Sequence, residues 1–199
     1  MPAEDKLPIS RRTVLASATF VPLAALTAAA QSSKATALLA PERQILDAIV
    51  DRLVPADELG PGALEMGAAN YIDLSLAEYL APEKGNFVEG LAAVDALAKT
   101  QHGAAFAALT PEQKDAVLSA MESGAPMGSV DSRAFFNRVR RLTLEGMFCD
   151  PYYGGNKNFG GWDLIRYPGP RLAVGPDDQK MSALPKAVRQ SAYGSSHGH

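Results

Sequence analysis

The sequence predicts an all-α protein of about five helices in a bundle, with a long ordered C-terminal segment wrapping it. Apolar residues recur at i, i+3, i+4 spacing in successive windows, as a core-facing helix requires. No alternating apolar–polar pattern runs longer than a few residues, so nothing reads as a half-buried strand. Clusters of Gly and Pro separate the periodic windows.

Helical periodicity begins at Pro41-Glu42, with Ile45, Leu46, Ile49, Val50 and Leu53 on one face. Val54-Pro55 ends it, because a residue before Pro avoids the helical region. Asp57 to Gly62 is a loop. A second helix is predicted over Ala63–Leu80, with Tyr71, Leu74, Ala77 and Leu80 near one side. Pro82–Asn86 breaks the pattern, and a third helix covers about Phe87–Thr100. Gly103 interrupts, and Ala104–Leu109 reads as a short turn. Thr110-Pro111-Glu112-Gln113 is a helix start, with Thr as N-cap, Pro first and Gln three after the cap. That helix ends near Gly124. Asp131 or Ser132 caps a fifth helix, whose Phe135, Phe136, Val139, Leu142 and Met147 face inward.

After Gly146 the periodicity stops. Residues 147–170 hold the only Trp, Trp162, together with Tyr152, Tyr153 and Tyr167, among closely spaced Gly and Pro. The segment is too rich in these for a helix and too irregular for a strand, so it reads as ordered turns. Large rings on a rigid loop suit a binding surface, since they offer area at little entropic cost. The bland alternative is that the rings pin the loop onto the helices. Gly154-Gly155-Asn156 is read as a set of positive-φ turn positions. From 171 to 199 the composition turns polar and predicts a disordered tail.

The N-terminus gives an address. Ser10-Arg11-Arg12-Thr13 is a twin-arginine signature. It precedes a weakly apolar, Ala-rich run over 14–30, broken by Pro22 and ending in Ala28-Ala29-Ala30. Such a run suits a cleavable signal better than an anchor. Residues 1–30 are therefore read as an export signal, 31–40 as a linker, and 41–170 as the folded domain. The twin-arginine route exports folded proteins, typically ones that hold a cofactor or travel with a partner that does.

Cofactor chemistry in the chain itself is hard to find. The 199 residues carry a formal net charge of −3, which offers no nucleic-acid footprint. Arg138, Arg140 and Arg141 spread over more than one helix face and read as a solvated surface. No G-x-G-x-x-G turn occurs for a dinucleotide. The single cysteine, Cys149, excludes c-type haem attachment and thiolate-held clusters. His197 and His199 lie in the polar tail and His102 stands alone, so no metal set is grouped. Nothing places His102 as a base for a Cys149 nucleophile. Asp47 and Asp51, with Arg43 and Arg52 nearby, look like an ordinary charged helix face. Asp150 before Pro151 looks like a turn-former.

Three blocks carry a family resemblance over roughly 41–170. The first is Ile49-Val50-Asp51-Arg52-Leu53-Val54-Pro55-Ala56-Asp57 with Gly60-Pro61-Gly62-Ala63. The second is Leu109-Thr110-Pro111-Glu112-Gln113. The third and most specific runs from Phe135-Phe136 through Thr143 and Gly146-Met147-Phe148 to Asp150-Pro151-Tyr152-Tyr153-Gly154-Gly155-Asn156, Gly161-Trp162 and Tyr167-Pro168-Gly169-Pro170. Together they resemble the gluconate 2-dehydrogenase subunit 3 family, the small subunit of membrane-bound flavin-dependent sugar and sugar-acid dehydrogenases. One departure stands out: the family tends to carry Gly where this chain has Arg166.

The resemblance implies a non-catalytic small subunit with no cofactor of its own. Its implied partners are an FAD-bearing large subunit of the glucose–methanol–choline oxidoreductase type, often a multi-haem cytochrome c subunit, and the twin-arginine translocase. It implies a periplasmic location, at the inner membrane through the complex, and a role in maturing and exporting the large subunit. The interface expected from it comprises Cys149, Asp150, Tyr152, Tyr153, Gly154, Gly155, Asn156, Trp162, Tyr167 and Pro168. Cys149 becomes a candidate for an intersubunit disulfide, against the commoner fate of a buried free thiol. Two other readings stay open: a stand-alone exported enzyme with an unrecognised site, and a periplasmic scaffold unrelated to redox chemistry.

Overall fold

The computed structural model describes residues 36–171, 173–176, 178–180 and 186–194. The export signature at Ser10, Arg11 and Arg12 lies outside the described residues, as do 195–199 with His197 and His199. Among the described residues the architecture is all-α, with α1 Ala40–Leu53, α2 Ala68–Ala77, α3 Lys84–His102, α4 Pro111–Glu122, α5 Ser132–Phe148 and α6 Gly160–Leu164. Short 3-10 turns at Ala81–Glu83, Phe106–Ala108, Pro151–Tyr153 and Lys157–Phe159 join them.

Helix α2 is the axis of the fold. Tyr71, Ile72, Asp73, Leu74, Ser75 and Leu76 are all buried, so this short helix is enclosed on every side. It packs most extensively on α5. The approach is close because α5 carries Gly146 at the crossing. A Cβ there would lie 2.9 Å from both the Ala68 Cα and the Tyr71 Cβ. Across the bundle, α3 meets α5 through Gly90, whose missing side chain leaves room for the Phe135 ring. Phe135 in turn sits edge-on to Phe87, ring centres 5.4 Å apart.

The predicted starts and stops have local causes. The Thr110 Oγ1 accepts from the Gln113 N–H at 3.4 Å, and the Gln113 Oε1 accepts from the Thr110 N–H at 3.1 Å. Asp131 Oδ1 accepts from the Ala134 N–H and caps α5. Gly103, with φ +74°, terminates α3. The second helix is shorter than its periodicity predicts, because Gly67 takes φ +78° and forces an irregular turn before Ala68.

Three expectations need correction. Residues 31–40 are not linker throughout: Ala37 and Leu38 are buried in the core cluster. Asp73, 1% exposed, holds them there by accepting both their N–H groups at 2.7 and 2.9 Å. Arg43 completes that site at 3.2 Å from Asp73 while also pairing with Asp47, so it is more than a surface charge. Next, the aromatic segment is not turns alone, since it contains the short helix α6. Finally, the C-terminal region is not structureless: residues 186–194 return to lie on the aromatic segment, with the Val188 N–H bonded to the Pro168 carbonyl at 2.8 Å.

Candidate protein-interaction surface

The aromatic segment begins where α5 runs out of helical partners. The last carbonyls of any helix need outside donors. Here two side chains supply them. Asn156 Nδ2 donates to the Cys149 carbonyl and Trp162 Nε1 donates to the Phe148 carbonyl, at 2.8 and 2.9 Å. The Asn156 N–H reaches the Gly146 carbonyl at 2.8 Å. Asn156 Oδ1 accepts from the Gly161 N–H at 2.8 Å, which fixes the start of α6. Asn156 is fully buried and adopts φ +46°. It is the knot that ties α5 to α6.

Tight approach explains the glycines. Gly154 has the positive φ that the sequence predicts, at +87°, but Gly155 does not. Gly155 is needed for space: a Cβ there would lie 2.1 Å from the Gly146 carbonyl oxygen. Gly161 meets the same limit at 2.0 Å from the Met147 oxygen. Beyond Asn156, Asn158 and Phe159 also adopt left-handed conformations, at φ +56° and +61°. Each costs on the order of 1 kcal/mol, so the surrounding packing must hold the segment in one shape. Arg166 joins them at φ +55°.

This frame presents some expected interface residues outward and buries others. Tyr153 and Tyr167 are 39% and 41% exposed. Trp162 is almost wholly buried, packed between Phe159 (tilted) and Tyr167 (edge to face) at 5.3 and 5.0 Å. Gly155 and Asn156 are buried and structural. Tyr152 and Tyr153 pack edge to face at 5.3 Å. Asp150 Oδ1 accepts the Tyr152 N–H in the turn the sequence anticipates. Pro168 offers its carbonyl to Val188. Leu164 at the end of α6 and Ile165 just after it, which sequence reasoning missed, stand exposed, with Ile165 beside Tyr153 and Tyr167. Only the orientation of a helix whose existence was not foreseen reveals them.

Cys149 points inward. Its Sγ lies 3.5 Å from the Gly146 carbonyl and packs against the core. Burial pushes the thiol up to about 12. A thiol so placed is a weak nucleophile.

Two hollows flank the tyrosines. One of about 730 Å³ runs between Gly67, Asn70, Tyr152, Gly154, Phe159 and Arg189. The other, of about 400 Å³, is lined by Phe148, Asp150, Tyr153, Trp162, Tyr167 and Tyr193. A wider hollow over residues 123–134 is open to solvent and lined mainly by small side chains, with no grouped chemistry. Among the described residues no set of three His, Cys, Asp or Glu is grouped to hold a metal ion. The clustered arginines of α5 are engaged separately: Arg138 with Glu83, Arg141 with Glu145, and Arg140 over the Phe136 ring. What the arrangement offers is a stiff, partly apolar surface.

A family model described as gluconate 2-dehydrogenase subunit 3 matches residues 40–169, from the first turn of α1 to the end of the aromatic segment. The chain belongs to the gluconate 2-dehydrogenase subunit 3 family. A subunit 3 chain is part of a multi-subunit dehydrogenase complex. No curated protein and no solved structure matches the chain. Among the described residues of this subunit 3 chain, no helix is long and apolar enough to cross a membrane.

Proposed function

We propose that this chain is the non-catalytic small subunit of a periplasmic, FAD-dependent sugar, sugar-acid or polyol dehydrogenase. It binds the flavoprotein subunit of the glucose–methanol–choline oxidoreductase type, supports its folding and assembly, and carries it through the twin-arginine translocase. The flavin belongs to the large subunit, and haem c, where a cytochrome subunit is present, to a third. The complex sits at the inner membrane. The observation that supports this most is the family's own segment held rigid by Asn156 while Tyr153, Leu164, Ile165 and Tyr167 face outward. Exposed aromatic and aliphatic side chains on a fixed backbone are what an interface core uses. Ser10-Arg11-Arg12 supplies the export half of the reading.

We assign Cys149 to packing rather than to an intersubunit disulfide. A bridge would require the corner between Gly146 and Gly155 to open.

The test is export in a strain expressing both subunits. Changing Arg11 and Arg12 together to Lys should leave the flavoprotein in the cytoplasm. Normal periplasmic flavoprotein from that variant would contradict the escort role.

A further inference from the structure

We propose that residues 186–194 form a displaceable strap, which occupies the aromatic face in the unassembled chain and yields it to the flavoprotein subunit on assembly. This rests on the function proposed above and adds the state of the surface before its partner arrives.

The seat is specific. The Val188 N–H donates to the Pro168 carbonyl at 2.8 Å. Gly169 has φ +86°, and any Cβ there would lie 2.0 Å from the Val188 oxygen, so the backbone beneath the strap is shaped for it. The Arg189 guanidinium straddles the Asp163 carboxylate at 2.6 and 3.2 Å. The Ala192 N–H donates to Asp150 Oδ2 at 2.8 Å. Tyr193 lays its ring 4.7 Å from Tyr152 and bonds its hydroxyl to that of Tyr153 at 2.9 Å.

The hold is weak. Residues 186–190, Ala192 and Tyr193 are exposed, and no strap side chain enters the core cluster. The side chains of Arg189 and Asp163 are 61% and 41% exposed, and an ion pair so wetted contributes little. A segment ordered by solvent-exposed hydrogen bonds, with one half-exposed ring as its main apolar contact, opens at low cost. The strap therefore has the geometry of a bound peptide and the energetics of a temporary one.

What it covers defines what replaces it. With the strap lifted, Asp150 Oδ2 and the Asp163 carboxylate lose their donors, and the Tyr152–Tyr153 pair loses an aromatic neighbour. The matching patch on the flavoprotein carries a basic side chain and an aromatic ring, the pair that Arg189 and Tyr193 supply from within the chain.

The test uses the full chain and the purified flavoprotein subunit. Association rates are measured for the wild type, Arg189→Ala and Tyr193→Ala, with circular dichroism confirming an unchanged helical fold. Each variant loosens the strap through a different contact, and both should associate faster. The gain is on the order of tenfold if the strap is closed about nine-tenths of the time. Amide exchange should show the Val188 and Ala192 N–H groups losing protection in the complex while 150–167 gains it. Association at or below the wild-type rate, or strap amides still protected in the complex, overturns the proposal. A wild-type chain that binds no flavoprotein overturns the proposed function, and the strap's role falls with it.

Discussion

The backbone N–H of Asn156 donates to the carbonyl of Gly146 at 2.8 Å, joining the aromatic segment to the last turn of α5. The Asn156 side chain donates to the Cys149 carbonyl and accepts from the Gly161 N–H. Changing Asn156 to Ala leaves the buried Gly161 N–H and the Cys149 carbonyl without partners. Unmet buried groups cost roughly 1–3 kcal/mol each, so the variant should lose about 2–4 kcal/mol in urea unfolding. A loss below about 0.5 kcal/mol would show that the knot is not structural.

Gly155→Val tests space rather than conformation. The added Cβ meets the Gly146 oxygen, a backbone atom that cannot swing aside. The variant should lose at least about 2 kcal/mol and fail to assemble with the flavoprotein. Gly154→Ala differs, since Gly154 sits at φ +87° and its strain is added to contact with Leu74. Normal yield of the Gly155→Val complex would refute the close-approach account.

Some of this was legible in the chain and some was not. Thr110 with Gln113, and Asp131 before α5, announce their helices because capping is local chemistry between residues three apart. The start of α2 is not announced, since Gly67 could equally sit inside a helix. Asp73 shows nothing unusual in sequence, because its partners Ala37 and Leu38 lie 36 and 35 residues away. Gly155 looked like a turn glycine, and only the fold brings the Gly146 carbonyl against it. Residues 186–194 are polar enough to read as disordered. Their order comes from acceptors on Asp150, Asp163 and Pro168 that no local pattern reveals.

Asp73 ties the entry of the chain to the central helix. Asp73→Ala removes acceptors from two buried N–H groups and strips Arg43 of a partner. Breaking a buried network of this kind costs about 3 kcal/mol or more. Thermal unfolding should show the loss, and amide exchange should show Ala37 and Leu38 released. Retained protection at both amides would contradict the anchoring role.

Arg166 stands where a glycine costs less. Its φ of +55° carries a left-handed penalty of roughly 1–2 kcal/mol. Glycine removes that but adds roughly 0.5–1 kcal/mol of unfolded-state entropy. Arg166→Gly should therefore gain about 0.5 kcal/mol, and the β-branched Arg166→Val should lose about 1 kcal/mol. The reverse order would mean that the arginine makes a compensating contact.

Cys149 gives a pH dependence with a defined sign. Its folded value, about 12, stands above the ordinary thiol value of 9.0, so the native state favours the protonated form. Its contribution to stability is whole below about pH 9 and is lost as pH rises from about 9 to about 12. Cys149→Ala should flatten the fall in stability across that window. In the native chain at pH 8 the thiol should react with a disulfide reagent at least about a hundredfold more slowly than in urea. On non-reducing electrophoresis of the complex the small chain should migrate alone. An adduct that reductant releases would restore the intersubunit disulfide.

The most direct measurement is co-purification of the tagged chain with the proposed flavoprotein subunit. The account predicts a stoichiometric complex with flavin absorbance. Changing Tyr153, Ile165 and Tyr167 together to Ala should abolish capture while leaving the helical spectrum intact. A flavoprotein that never accompanies the wild-type chain, or one retained in full by the triple variant, would contradict it.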